Sequence, residues 1–328
     1  MREDIEFDAE GATLRGWFYR PDGADAEVPC IAMAHGFSAT KEMHLDDYAE
    51  VFSAAGLACV VYDNRGIGAS GTAPGKPRQE LDPWEQVRDY QHAITYAQLR
   101  PEVDAARIGV WGSSYSAAHS YVVAAIDRRV KAVCGQVPLV SGRRAFETLV
   151  RIDFWGPTWE LLEQDRLARA RGEAPAMLPV VDADPMAQSA LPTPDSFEFF
   201  NAYEGTAWKN EVTLRSLELL QGYEPGEYLK RISPTPLLMV VAPNDRLVAG
   251  ELACEMFETA SHPKKLVLVP GGHFDAYVGE GFEISSAAAR DWFVEHLRPA
   301  SAPARPTRRF EREPATEGVT DGGGAVRA

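Results

Sequence analysis

Arg107-Ile-Gly-Val-Trp-Gly-Ser-Ser-Tyr-Ser-Ala-Ala-His119 is the stretch that decides the fold. The apolar run Ile108 to Trp111 reads as a short buried strand. It stops at Gly112, and the small residues from Ser113 to Ile126, mixed with two tyrosines, read as a helix. Between them lies Gly112-Ser-Ser-Tyr-Ser116, a strand–turn–helix junction of the kind that pushes one serine hydroxyl above a sheet edge. Such a turn brings backbones close together, so the positions flanking Ser114 must be small. Gly112 fits, and Ser116 stands where a second glycine is usual. Taken alone, these five residues also read as a turn that merely packs a helix on a strand.

Outward from this stretch, Val28–Ala34, Leu57–Tyr62, Val130–Val137, Pro236–Ala242 and Lys264–Val269 are further apolar runs. Each has the pattern of a strand covered on both faces. Helices fall between them. One carries Tyr48, Val51, Phe52 and Ala55 on a single face and is closed by Gly56. Another opens at Asp82-Pro-Trp-Glu85, where Asp82 caps and Glu85 is expected to reach back, with Trp84, Val87, Tyr90 and Ile94 sharing a face. Later helices are expected near Gly250–Ala260 and over Glu283–Leu297. The alternation of strand and helix predicts a parallel sheet with helices on both faces and right-handed crossovers. Ile5 to Tyr19 instead alternates apolar and polar around Gly11, as an antiparallel hairpin with one wet face does.

The rhythm breaks from Ser141 to about Arg231. That stretch has many aromatics, no strong strand, and helix-like pieces around Glu160–Arg171 and Val212–Gln221 joined by a proline-rich connector, Pro175–Pro194. The expected organisation is an α/β core over 1–140 and 232–298, with a helical cap or lid over 141–231. Trp155, Trp159 and Trp208 of the cap are expected to touch substrate. Residues 299–328, poor in large apolar side chains, are expected to be a flexible tail.

Composition bounds the function. The net charge of −15 over 328 residues argues against nucleic acid or an anionic membrane as partner. The sequence has no apolar run of about 18 residues, and its acidic start carries no apolar signal segment. Cys30, Cys59, Cys134 and Cys254 are scattered and form no C-x-x-C pair, so they read as small buried hydrophobes in a reducing cytoplasm. The glycine-rich loop Asp63-Asn-Arg-Gly-Ile-Gly-Ala-Ser70 has neither G-x-G-x-x-G spacing nor the lysine of a P-loop; Asp63 and Arg65 read as structural. No His, Cys or carboxylate cluster has metal-ligand spacing. Neither metal nor cofactor is expected.

Ser114, Asp245 and His273 each follow a predicted strand. In a parallel sheet all C-terminal strand ends lie on one edge, so residues distant in sequence can meet there. A serine hydroxyl is a poor nucleophile until a base takes its proton. A neutral histidine supplies that base near pH 7, and a buried carboxylate fixes its tautomer. The attacked carbonyl becomes an oxyanion, for which the backbone N–H groups of Phe37 and Tyr115 are the candidate donors. Among competitors, His35 reads as loop-ordering, His119 as packing or a lid contact, and His262 as exposed. Asp275 is too near His273 in the chain to orient it easily.

The order Ser114, Asp245, His273 is that of the triad in α/β-hydrolases. With His35-Gly36-Phe37, the Asp63–Ser70 loop, Gly112-Ser-Ser-Tyr-Ser116 and Gly271-Gly-His273-Phe274, the chain from Ile5 to Leu297 resembles that superfamily. Within it, His35-Gly-Phe-Ser-Ala-Thr-Lys-Glu-Met43 and the Ser114 turn are similar to dienelactone-hydrolase-like proteins and to fungal polyketide transferases and thiohydrolases. The tyrosine after the serine is similar to the cocaine-esterase and X-prolyl-peptidase group. The resemblance implies an α/β-hydrolase fold with a mostly parallel, eight-stranded sheet. It also implies a serine hydrolase that cleaves a carboxylic ester, lactone or thioester through an acyl-enzyme. Dienelactone hydrolases proper use cysteine, so Ser114 argues for ordinary ester chemistry. An acyltransferase or thiohydrolase of polyketide-type metabolism would use the same triad, and a non-catalytic binding protein would keep only the fold. The expected partner is a small acyl molecule; pairing as a homodimer stays open.

Overall fold

The computed structural model describes residues 1–24, 26–184 and 186–298; the tail expected over 299–328 lies outside the described residues. In chain order come β1 (Arg2–Ala9), β2 (Ala12–Tyr19), β3 (Val28–Ala34), α1 (Leu45–Ala54), β4 (Ala58–Tyr62) and α2 (Pro83–Gln98). Next are β5 (Val103–Ser113), α3 (Tyr115–Ile126), β6 (Val130–Gln136), α4 (Gly142–Leu149), α5 (Trp155–Ala170), β7 (Met177–Leu178) and α6 (Pro194–Asn201). The chain continues through β8 (Val212–Thr213), α7 (Leu214–Gln221), β9 (Leu237–Val241), α8 (Gly250–Glu258), β10 (Lys264–Leu268) and α9 (Gly279–His296).

Eight strands form one sheet in the order β1-β2-β4-β3-β5-β6-β9-β10. The β1–β2 and β2–β4 pairs are antiparallel and every other pair is parallel. Period-two alternation sorts the side chains of β5 between two cores. Ile108 and Val110 pack with Val87 and Tyr90 of α2 and Val122 of α3. Trp111 packs on the opposite face with Tyr48 and Phe52 of α1 and Phe293 of α9. Helices thus cover both faces, which is why the inner strands read as unbroken apolar runs.

After β3 the chain turns to one side to make β4, and after β5 it turns to the other to make β6. The switch point therefore lies between the C-terminal ends of β3 and β5, the crevice where open α/β sheets hold ligands. The loop His35-Gly36-Phe37 leaves β3 there, and Ser114 leaves β5 there.

Four local readings change. β10 is the sheet's edge, paired only with β9, and it is half exposed rather than buried on both faces, with Leu268 53% exposed. Trp84 is 42% exposed in the first turn of α2 and meets Tyr223 edge-on, while Val87, Tyr90 and Ile94 are buried. Asp82 does cap α2, accepting from the Trp84 and Glu85 amides. Glu85 does not complete the box: it ion-pairs with Lys76 at 3.0 Å and Arg65 at 3.6 Å, two cations the local pattern could not anticipate. Finally, β7, in the expected proline-rich connector, and β8, at the start of the helix-like piece expected over Val212–Gln221, form a two-residue antiparallel ladder where no strong strand is expected.

Candidate active site

The turn after β5 forces Ser114 into φ 57°, ψ −115°, a left-handed conformation for a residue with a Cβ. Such a conformation costs on the order of 1–3 kcal/mol and persists only where neighbours over-determine it. Three backbone bonds do so. The Ser114 N–H donates to Gln136 O at 2.8 Å, and its carbonyl accepts from Leu139 N at 3.1 Å and Ala118 N at 3.4 Å. The flanking glycines explain the size rule. A Cβ on Gly112 would sit 2.1 Å from Ser116 O, and one on Gly36 would sit 2.7 Å from the Ser114 Cβ.

Ser116, in place of the usual second glycine, has its own role. Its hydroxyl donates to His35 O, which also accepts from Asn64 Nδ2 at 3.0 Å. The serine ties the start of α3 to the loop after β3. His35 is held in turn: its Nδ1 accepts from the Gly36 N–H at 2.7 Å and its Nε2 donates to Met43 O at 2.8 Å. Burial pushes the His35 imidazole down to about 3, so the ring is neutral at ordinary pH. With both nitrogens committed, His35 orders the loop as expected. His119 is also spoken for, with Nδ1 on the Tyr223 hydroxyl at 3.0 Å and Nε2 on Gln86 Oε1 at 2.9 Å, and burial pushes it to about 3 as well.

His273 and Asp245 meet. His273 Nδ1 donates to Asp245 Oδ2 at 2.6 Å, and both side chains are almost wholly buried. Asp245 Oδ1 accepts from the Leu247 and Val248 amides at 2.8 and 3.1 Å. The carboxylate is therefore fixed by two N–H donors on one oxygen and by the imidazole on the other. Asp275 is occupied elsewhere, accepting from the Gly272 amide at 2.6 Å within the loop that carries His273.

Ser114, His273, Gly36, Phe37 and Tyr115 line one cavity, with about 510 Å³ of empty space including its solvent-open mouth. Among the described residues the Phe37 and Tyr115 amides donate to no protein acceptor. Tyr115 opens α3, whose N-terminal end carries positive partial charge. The rest of the wall is apolar, with Leu139, Leu191, Phe200, Leu220 and Val248 among its members. Tyr277 also lines it, stacks on His35 at 5.4 Å between centroids, and hydrogen-bonds the Ser113 hydroxyl beneath the turn.

The three tryptophans expected against substrate are not on this wall. Trp155 donates its Nε1–H to Val150 O at 2.8 Å, and Trp159 is 50% exposed and packs on Phe146. Trp208 is buried against Phe200 and donates its Nε1–H to Ser38 Oγ at 3.2 Å, one residue past Phe37. The 141–231 segment gives Ala145, Leu149, Leu191, Phe200 and Leu220 to this wall, but none of its three tryptophans. The wall residues Leu139, Leu247 and Val248 follow strand ends, and that position could have found them. Ala145, Leu191 and Leu220 carry no such signal.

Asp63 and Arg65 are structural as read, but not with each other. Asp63 accepts from the Lys41 amide at 2.7 Å and pairs with Lys41 Nζ at 2.9 Å. Arg65 Nε donates to Asp89 Oδ2 at 2.9 Å, joining the loop to α2.

A serine at a strained strand–helix turn, on the switch-point edge of a mostly parallel eight-stranded sheet, defines this protein as an α/β-hydrolase, an enzyme of the hydrolase class. More narrowly, the chain belongs to the X-Pro dipeptidyl-peptidase (S15) family, whose family model matches residues 10–275. It is 33% identical over 288 residues to the quorum-quenching protein AidA of Acinetobacter baumannii, covering 85% of this chain and 90% of that one. It is 30% identical over 305 residues to a thiohydrolase of Eupenicillium brefeldianum, covering 90% and 95%. The crystal structure of the α/β hydrolase GrgF from Penicillium sp. sh18, a polyketide transferase by name, matches with a TM-score of 0.77 and 29% identity over 90% of this chain and 99% of that one.

Proposed function

We propose that the protein is a serine hydrolase of esters, lactones or thioesters, with Ser114 as nucleophile, His273 as base and Asp245 as the group that orients it. The observation that carries the reading is the buried 2.6 Å bond from His273 to Asp245 in a cavity shared with Ser114. The carboxylate keeps the proton on Nδ1, which leaves Nε2 as the basic nitrogen. Ser114 Oγ attacks the carbonyl carbon as its proton passes to His273 Nε2. The Phe37 and Tyr115 amides receive the oxyanion. Collapse breaks the bond to the leaving group, which takes the proton from His273, and an ester on Ser114 remains. Water, deprotonated by His273, then releases the acid and restores the serine.

In this reading residues 141–231 cap a core formed by 1–140 and 232–298. The described part of the fold has no helix long and apolar enough to cross a membrane. Four free thiols, three of them buried, support a reducing cytoplasm as the working compartment.

The test is hydrolysis of p-nitrophenyl acyl esters by wild type and Ser114→Ala. Loss of all but about 10³-fold enhancement over water is expected, the remainder coming from binding and the oxyanion donors. Unchanged hydrolysis would remove the proposal. A second reading, transfer of the acyl group to an alcohol or amine, has one observation in its favour: the wall around Ser114 is almost entirely apolar and would hold little water. Polyketide transferases among the relatives point the same way. Product partitioning with and without an added acceptor decides between the two.

A further inference from the structure

A second, larger pocket, open to solvent and with about 1040 Å³ of empty space, lies in the 141–231 segment. Its walls include Phe154 and Leu161 of the segment's first half, Met177 and Leu178 of β7, and Leu214 and Leu217 of α7. Leu149 belongs to this wall and also to the wall of the cavity that holds Ser114. This side chain, at the end of α4, is therefore shared by the walls of the two spaces.

Two further elements run through both. α7 turns Leu220 toward the Ser114 cavity and Leu217 toward the second one, three residues apart on one helical face. The segment before α6 gives Leu191 to the first cavity and Pro192 to the second. Leu149, α7 and this segment thus make a continuous apolar lining from the serine outward. The polar members of the second wall are Arg151, Thr158, Gln188 and Ser189, and Arg151 is already paired with Asp153 at 2.7 Å. Among the described residues of this wall, no unpaired charge waits for a carboxylate or phosphate. Met177 and Met186, unbranched and polarizable, suit a ligand of variable contour.

From this lining, and resting on the reading of Ser114 as nucleophile, we infer that the second cavity is an acyl-chain subsite. The substrate is then an ester or thioester of a long, flexible, mostly apolar acid, such as a fatty acyl or reduced polyketide chain. Its carbonyl lies at Ser114, and the chain passes Leu149 into the open space beside α5, β7 and α7. Leu149 and Leu217 set how long a chain is accepted.

The experiment is a chain-length series of p-nitrophenyl esters, from acetyl to dodecanoyl, read as kcat/KM. Leu217→Trp fills the cavity from α7. Leu161→Trp fills it from α5, at a position 39% exposed and so tolerant of a larger side chain. Each is expected to lower the dodecanoyl-to-acetyl ratio of kcat/KM at least tenfold relative to wild type. A ratio unchanged in both folded variants overturns the subsite while leaving the Ser114 reading intact. Should wild type hydrolyse no ester of any length, the hydrolase reading fails separately. Calorimetric binding of dodecanoate then tests the cavity by itself: binding weakened at least tenfold by Leu161→Trp supports it, and no binding, or binding indifferent to the tryptophan, overturns it.

Discussion

Asp245→Asn is the substitution whose effect follows most directly from the geometry. In the protein, Asp245 Oδ1 takes two backbone N–H donors, from Leu247 and Val248, and Oδ2 takes His273 Nδ1. An asparagine has one acceptor oxygen and one amino group for these two places. Turning the amino group toward the two amides would set donor against donor in a buried site, at a cost of roughly 1–3 kcal/mol for each group left unsatisfied. The oxygen therefore stays on the amides, and the amino group faces His273. That arrangement forces Nδ1 to accept and moves the ring proton to Nε2, the nitrogen that must be free to take the serine proton. The expected loss is about 10⁴-fold in kcat, the scale of a wrong-tautomer histidine in a serine triad, or about 5.4 kcal/mol of barrier. Because both amide bonds to Oδ1 survive, the melting temperature should move by no more than a few degrees. The assay pairs kcat on a p-nitrophenyl ester with a thermal melt. A fall in kcat of less than tenfold, in a variant that melts like wild type, would refute the assignment of Asp245 as the orienting carboxylate.

Three further outcomes are expected. Gly112→Ala places a methyl 2.1 Å from Ser116 O, so the start of α3 must shift; a loss of about 3 kcal/mol or more in chemical denaturation is predicted, with activity lost alongside. His35 and His119, each pushed down to about 3 by burial, bind protons only when the chain unfolds. Their contribution is complete above the unfolded pKa of about 6.5 and is lost as pH falls toward 3; together they should remove roughly 2–3 kcal/mol of unfolding free energy between pH 6 and pH 5, measured by denaturant titration at each pH, and a flat profile there would contradict their neutral burial. Trp208→Phe removes the indole bond to Ser38, beside the Phe37 amide, and should lower kcat about fivefold with KM changed less, the scale of one hydrogen bond.

The parts of the molecule legible in the sequence were those whose local pattern and tertiary role agree. Strands covered on both faces announce themselves as apolar runs, and β3, β4, β5, β6 and β9 do so. The Ser114 turn was legible because sterics around Gly112 and Gly36 allow few residue types. The pairing of His273 with Asp245 could be proposed because parallel strands end on one edge. What was not legible depends on neighbours distant in the chain. Trp84 sits on the apolar stripe of α2 yet faces Tyr223 near the surface. Glu85 meets Lys76 and Arg65 from a loop instead of its own helix N-terminus. β10 has an apolar sequence but ends the sheet, since strand order is not written in periodicity. In the 141–231 segment, aromatic residues drew attention, while leucines from α4, α7 and the stretch before α6 join Phe154 and Phe200 on the cavity walls and the tryptophans do not. Leucines that line a cavity and leucines that fill a core look alike in sequence.

The most direct test of the central claim is covalent. Wild-type protein treated with a fluorophosphonate should gain one adduct, seen by intact mass, on the peptide that carries Ser114, and labelling should slow sharply in His273→Ala. Absence of an adduct on that peptide, or an adduct whose rate ignores His273, would contradict the assignment of Ser114 as the activated nucleophile.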